Sequence, residues 1–182
     1  MPTFGTIKRA KPRIRVRKGY SPVEPSNLHE AYTPDSDADI KSGMLLVLDN
    51  SVDLLKKATA ALLAAGNRPY FALEDQSAPD VSASGKLPVI VCNGNFEVET
   101  AFFDAGSYSN GDLLGASAAN AGNVAAHPDN GTPSVGSAKG IRSWAPDATR
   151  PNYGINNEAD PTTFNGDVLA LYTEHRVDLG DA

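Results

Sequence analysis

The apolar residues of this chain are gathered in short runs, most of them bounded by glycine, proline, aspartate or asparagine. Runs of this length fit buried or half-buried strands better than long amphipathic helices. Asn-Gly, the strongest short-range hairpin signal, stands between two such runs at Asn93-Gly94. The sequence therefore predicts strands at Met44–Leu48, Tyr70–Leu73, Leu87–Cys92, Phe96–Phe102, Leu113–Leu114 and Val168–Val177.

One segment follows a helical period instead, and it predicts a single helix at about 51–65. Five of its residues lie on one helical face: Val52, Leu55, Thr59, Leu62 and Leu63. Asn50 or Ser51 can cap its start, and Gly66 can end it in the left-handed conformation. Together with long loops within 115–165, this pattern predicts a mainly β fold, either a small barrel or a sandwich.

Charge divides the chain into two parts. The net charge is −6, but residues 1–18 carry seven basic and no acidic side chains, which leaves −13 on the remainder. Such asymmetry is typical of an interaction tail. Pro22, Pro25 and Pro34 interrupt the segment that follows. We therefore expect a basic N-terminal arm and extended linker over residues 1–42, and a single β-rich domain over residues 43–182.

The end of the arm alternates arginine with Ile14 and Val16, so an extended chain would place guanidinium groups on one face. Such a strand can dock on another protein subunit, including a copy of itself, can contact nucleic acid, or can remain a solvated tail. The acidic remainder and the lack of interleaved aromatic residues favour a protein partner over nucleic acid. The predicted binding residues are Lys8, Arg9, Lys11, Arg13, Ile14, Arg15, Val16, Arg17 and Lys18.

Patterns that would identify an enzyme are missing from the sequence. Its three histidines are far apart, and no phosphate loop, dinucleotide fingerprint or Gly-x-Ser-x-Gly motif occurs. Cys92 lies in an apolar run and is expected to be a buried small residue. Glu97 and Glu99 share one face of a strand that we expect to be half-exposed. We therefore expect no catalytic residue, metal or cofactor, no membrane span, and folding in the cytoplasm of the producing cell.

The order of several segments resembles that of the capsid decoration proteins of tailed bacteriophages, also called cement or head-stabilising proteins. The segments are Ser42–Leu48, Arg68–Gln76, Gly85–Pro88, Phe96–Phe103, Tyr108–Leu114, Val135-Gly136 and the final strand. The resemblance covers roughly residues 42–178.

This resemblance implies a compact β-rich barrel of the kind called a β-tulip, with an extended N-terminal arm that grips the capsid. It also implies that the protein is a virion component on the outer capsid surface, bound to the major capsid protein and to copies of itself as a homotrimer. Decoration proteins have no catalytic residues, so the resemblance implies none here. Two rival functions stay open: another virion component, such as a tail-tube or head–tail joining protein, and a nucleic-acid-associated protein that uses the basic arm.

Overall fold

The computed structural model describes residues 14–19, 30–35, 39–73, 75, 86–92, 96–128, 132–143 and 167–176. The described residues form eleven strands and one short helix, which confirms the predicted mainly β class. In this part of the chain, no helix is long and apolar enough to cross a membrane. The elements are β1 (Ile14–Gly19), β2 (Glu30–Tyr32), β3 (Leu45–Asp49), β4 (Leu54–Lys57), α1 (Ala60–Ala64), β5 (Arg68–Ala72), β6 (Leu87–Val91), β7 (Phe96–Thr100), β8 (Leu113–Ala116), β9 (Val124–Ala126), β10 (Ser134–Ser143) and β11 (Asp167–Arg176).

The strands form two antiparallel sheets. The larger sheet has the order β1-β7-β11-β10-β8-β9, and the smaller sheet has the order β2-β6-β5-β3-β4. The segment 1–42, which the sequence predicts to be arm and linker, contributes the end strand β1 to the larger sheet and the end strand β2 to the smaller one. Both strands described within that segment are thus built into sheets whose other strands come from residues 43–182.

The main core lies between the two sheets, because each sheet turns an apolar face towards the other. Fully buried residues of both sheets belong to this cluster: Leu45, Val47, Phe71, Val98, Leu114, Leu169 and Leu171. A second cluster, which includes Leu46, Tyr70 and Val89, lies on the opposite face of the smaller sheet. Each fully buried Leu or Phe side chain stabilises the fold by about 1.5–3 kcal/mol relative to an exposed one.

The helix predicted at about 51–65 is wrong over its first half. Leu54–Lys57 is the strand β4, which pairs with β3, and α1 covers only Ala60–Ala64. Thr59 caps the start of α1 by accepting a hydrogen bond from the Leu62 N–H at 3.2 Å. The predicted left-handed conformation of Gly66 is confirmed by its φ of 82°. Leu55 is buried in the hairpin, as it would be on the apolar face of a helix, so the spacing of apolar residues could not distinguish the two structures. Val52, which the helix would have placed on the same face, is 50% exposed in the hairpin.

The turn between β3 and β4 has its own hydrogen bonds, which explains why it competes successfully with a helix. The Asp49 carboxylate accepts from the Ser51 N–H at 2.9 Å and from the Ser51 hydroxyl at 2.6 Å. The Lys56 ammonium donates to the same carboxylate at 2.8 Å. Asp53 adopts a left-handed φ of 57°, a conformation that aspartate tolerates better than most residues. These local bonds close a hairpin at a position where the sequence predicts helical backbone.

Substitution of Asp49 by asparagine is expected to destabilise the protein in a pH-dependent way. Hydrogen bonds from Lys56 and Ser51 lower the pKa of Asp49 from its ordinary value of 3.8 to about 2. A lowered folded-state pKa adds stability that is fully present above the unfolded value and is lost as the pH falls through the folded value. The melting-temperature difference between wild type and Asp49→Asn should therefore be largest above pH 4 and shrink towards pH 2. A difference that stays constant from pH 5 to pH 2 would contradict this assignment, and Lys56→Gln should weaken the pH dependence.

The hairpin predicted at Asn93-Gly94 is also wrong. β6 pairs with β2 and β5 in the smaller sheet, whereas β7 pairs with β1 and β11 in the larger sheet. Ile90 of β6 and Val98 of β7 belong to the same core cluster. The two strands therefore face each other across the core instead of lying side by side, and the chain changes sheets between them.

A loop-rich stretch after β7 is ordered around one carboxylate. Asp104 accepts hydrogen bonds from the Ser117 hydroxyl at 2.5 Å, the Asn120 amide at 2.9 Å and the Asn123 amide at 3.1 Å. These bonds hold the loop before β8 against the loop before β9. The sequence predicts long loops within residues 115–165, whereas the end of β8 and all of β9 and β10 lie in the described part of that range.

Candidate interaction site: the basic strand and its acidic neighbour

The basic strand β1 lies along β7 as the end strand of the larger sheet. Its sequence Ile-Arg-Val-Arg-Lys-Gly has no proline, so every residue can contribute both backbone groups to a ladder. The register is antiparallel and runs from Ile14 opposite Thr100 to Gly19 opposite Phe96. Arg17 has no partner in this register because the pairing shifts between Val16 and Lys18. A shift of this kind, a β-bulge or a similar irregularity, interrupts the ladder locally.

The register sets basic residues opposite acidic ones. Arg15 is opposite Glu99, and Lys18 is opposite Glu97. Directly opposed residues of an antiparallel pair lie on the same face of the sheet, where opposite charges contribute roughly 0.2–1 kcal/mol per pair. The arm and its acceptor strand are therefore complementary in charge as well as in backbone hydrogen bonding.

The acceptor strand β7 is buried on both faces, so the prediction that it is half-exposed is wrong. Phe96 and Val98 point into the core between the sheets, while Glu97 and Glu99 alternate with them on the other face. Glu97 is only 6% exposed and Glu99 only 2% exposed. Carboxylates at this depth cost free energy unless opposite charge or hydrogen bonds compensate them. The electrostatics of β7 thus favour a cationic neighbour.

The other neighbour of β7, β11, is apolar and aromatic along the same face. Ala170 is opposite Glu99, and Tyr172 is opposite Glu97. The Lys139 ammonium lies 5.5 Å from the centre of the Tyr172 ring, a distance suited to a cation–π interaction. The register thus places Lys18 of β1 opposite Glu97, while Lys139 of β10 lies against Tyr172 on the other side of β7.

Side-chain hydrogen bonds also hold β7 to the segment that leads into β3 and to its neighbour β11. The Thr100 hydroxyl donates to the Gly43 carbonyl at 2.6 Å and accepts from the Phe102 N–H at 3.1 Å. The Thr173 hydroxyl of β11 donates to the Phe96 carbonyl at 3.2 Å. These bonds anchor both ends of β7, so its position does not depend on β1 alone.

The structure brings five of the nine predicted binding residues to the protein's own sheet. Ile14, Arg15, Val16, Arg17 and Lys18 lie in β1, whereas the other four, namely Lys8, Arg9, Lys11 and Arg13, lie outside the described residues. The acceptor residues Glu97 and Glu99 were not predicted. A signal for them was available, because glutamate alternates with apolar residues in β7 as arginine does in β1.

Cys92 and His127, two residue types that can carry chemistry, lie elsewhere among the described residues. In this described part of the chain, no group of three or more His, Cys, Asp or Glu side chains could hold a metal ion. Cys92 is confirmed as buried, and desolvation raises the pKa of its thiol well above the ordinary value, which disfavours the reactive thiolate. The His127 ring lies with Nε2 2.6 Å from the Thr132 carbonyl oxygen, a contact that holds two loop residues together.

Comparisons of the chain with protein-family models, with curated proteins and with solved structures found no match. The seam between β1 and β7 joins a cationic edge strand to a buried acidic strand within one chain.

Proposed function

We propose that this protein is a structural component of a tailed-phage virion that decorates the outer capsid surface. In this proposal it stabilises the shell by cross-linking major capsid subunits without covalent bonds, and copies associate as trimers. The observation that carries the proposal is the position of the basic strand β1 at the end of the larger sheet. The β-rich two-sheet body and the resemblance in segment order support the same function.

The position of β1 favours docking through the arm. β7 pairs with one edge of β1, and in this proposal the basic residues that precede β1 in the sequence extend from that strand to the partner. An end strand can also accept an extended segment of a partner by strand addition. Acidic residues of the partner that flank such a segment could then form ion pairs with the basic residues of the arm.

The division of charge favours one orientation on a surface. An arm of +7 on a body of −13 is attracted to an acidic surface at one end and repelled at the other. Single surface ion pairs contribute only about 0.2–1 kcal/mol, so one arm alone binds weakly. Several arms on one shell add avidity, which is how a small protein can stabilise a large assembly.

Neutralising the outer arm should weaken capsid binding by about 30-fold. The arm variant replaces Lys8, Arg9, Lys11 and Arg13 by glutamine and leaves β1 intact. Four surface contacts of about 0.5 kcal/mol each give about 2 kcal/mol, the equivalent of that change in Kd. Co-sedimentation of full-length protein with cognate capsids stripped of outer proteins measures the affinity.

The matched control has the same net charge as the arm variant, because it replaces four other cations of the body by glutamine. These are Lys41, Lys57, Arg68 and Lys86. Capsid affinity should change less than threefold in this control. Equal losses in both variants would reduce the effect to net charge alone. DNA binding without capsid binding, with a steep salt dependence, would replace the proposal by the nucleic-acid function.

A further inference from the structure

β1 is attached to the described body through β7 alone. All its register partners belong to β7, and β7 is the only described element with which it makes extensive contact. The remaining strands of the larger sheet are joined to one another through β11, β10 and β8. Removal of β1 would therefore break one ladder and leave the rest of the sheet paired.

The acceptor position on β7 favours a basic strand but does not specify which molecule supplies it. Glu97 and Glu99 are buried in the assembled sheet and are opposite Lys18 and Arg15. A β7 without its neighbour would leave a ladder edge unpaired beside two carboxylates. The folded state is therefore more stable when a basic strand is paired with β7. An identical β1 from a second copy can form the same pairing.

The connection that follows β1 is long enough to reach another molecule. β1 ends at Gly19 and β2 begins at Glu30, in the other sheet. The intervening ten residues, 20–29, include Pro22 and Pro25, and a stretch of that length spans at most about 35 Å when extended. The radius of gyration of a compact domain of this size is about 16 Å. A connection of this length therefore allows β1 to reach β7 of a second copy that is in contact with the first.

We infer that β1 is exchangeable, so that the basic strand of one copy docks on the acidic β7 of a second copy. The exchanged pair makes the same register and the same charge pairs as the single chain, which is the low-cost route to association known as domain swapping. Since a short connection gives an effective concentration in the millimolar range, the closed single chain predominates in dilute solution. The exchanged form becomes more populated, relative to the closed single chain, where the local concentration of copies is high. The inference concerns the protein alone and stands whether or not the protein binds a capsid.

Disulfide trapping between the register partners Val16 and Val98 tests this inference. One full-length chain carries Val16→Cys and a second, of distinguishable mass, carries Val98→Cys; both carry Cys92→Ala. Opposed residues of an antiparallel pair have Cα atoms about 4.5–5.5 Å apart, within the range that a disulfide spans. After mixing and mild oxidation, the expected product is a disulfide-linked heterodimer whose yield rises at least tenfold between about 10 µM and about 1 mM protein.

Two controls define the result. A single chain with both Val16→Cys and Val98→Cys should form the bond internally, which reports on the register itself. The matched pair replaces the Val98→Cys chain by a Val52→Cys chain, because Val52 is exposed on the β3–β4 turn of the other sheet. This pair should give less than a tenth of the heterodimer yield.

No heterodimer at about 1 mM, or the same yield from the Val52→Cys pair, would overturn the exchange. If Val98→Cys prevents folding, Arg15→Cys and Glu99→Cys provide a second pair from the same register. Size-exclusion chromatography of the wild-type chain at about 1 mM gives an independent measurement, since exchanged dimers should dissociate only slowly after dilution.

Discussion

Substitution of Gly136 by alanine is expected to destabilise the protein by about 3 kcal/mol, enough to abolish much of the stability of a typical domain. Gly136 lies in β10, opposite Leu114 of β8 and Thr173 of β11. A Cβ atom at this position would overlap the backbone oxygen of Tyr172 and would lie 2.7 Å from Leu171 Cδ1. A flexible side chain could move aside, but the backbone oxygen belongs to the paired strand. The ladder itself would have to shift.

The expected cost is large because β10 is an inner strand of the larger sheet, between β8 and β11. A shift of β10 away from β11 would open the core at Leu171, which is fully buried. Overpacking of a well-filled site usually costs 1–3 kcal/mol, and a clash with backbone belongs at the upper end of that range. Urea-induced unfolding monitored by circular dichroism measures the change as a lower midpoint.

Gly115→Ala is the matched control, because Gly115 is also a strand glycine with a negative or extended φ. The Cβ atom of an alanine there would meet no atom closer than 3.5 Å, the distance to Pro128 Cδ. Its effect should be within about 1 kcal/mol of wild type, since reduced freedom of the unfolded chain offsets minor packing changes. Equal unfolding midpoints for the two variants would show that β10 and β11 are not packed as closely as described.

The positions of several strands could be predicted from the sequence because side-chain alternation is a local property. The predicted runs at Met44–Leu48, Tyr70–Leu73 and Leu87–Cys92 coincide within a residue or two with β3, β5 and β6. Each run buries residues that the sequence marks as apolar, so local pattern and core packing agree. The mainly β class follows from the same agreement.

Strand partners could not be predicted with the same success, because a turn signal states where the chain bends and not which strand lies beside it. Asn93-Gly94 separates β6 from β7, yet each strand finds its neighbours elsewhere in the chain. Both bury apolar residues in one core, and facing sheets satisfy that requirement as well as a hairpin does. The helix at 51–65 failed for a related reason, since the Asp49 side chain closes a turn that periodicity does not record.

Of the two strands that form the candidate site, the sequence predicted the role of β1 but not that of β7. The basic alternating strand was predicted from residues that lie together in the chain, whereas its acceptor lies about eighty residues away. The shift at Arg17 also breaks strict alternation, so charge matching alone would not give the register. Burial of Glu97 and Glu99 depends on both neighbours of β7, and no local window contains that information.

Replacement of Glu99 by lysine is expected to release β1 from the sheet. The substitution places a cation opposite Arg15, where like charges repel, at a position that is 2% exposed and where the lysine ammonium cannot be fully hydrated. Breaking a buried charge complement in this way costs about 3 kcal/mol. The amide protons of β1 should therefore exchange about a hundredfold faster, which hydrogen exchange with mass spectrometry measures on the peptide that contains residues 14–19.

The comparison variants separate charge from packing. Glu99→Gln keeps the shape of the side chain and removes the charge, so it should accelerate exchange about tenfold or less. Adding Arg15→Glu to Glu99→Lys restores opposite charges across the same register and should recover most of the protection, as a double-mutant cycle requires for coupled residues. Exchange in β5, which lies in the other sheet, should change little in every variant. If Glu99→Lys leaves β1 protected, or if the reversed pair fails to recover protection, the charge match between Arg15 and Glu99 does not hold β1 on β7.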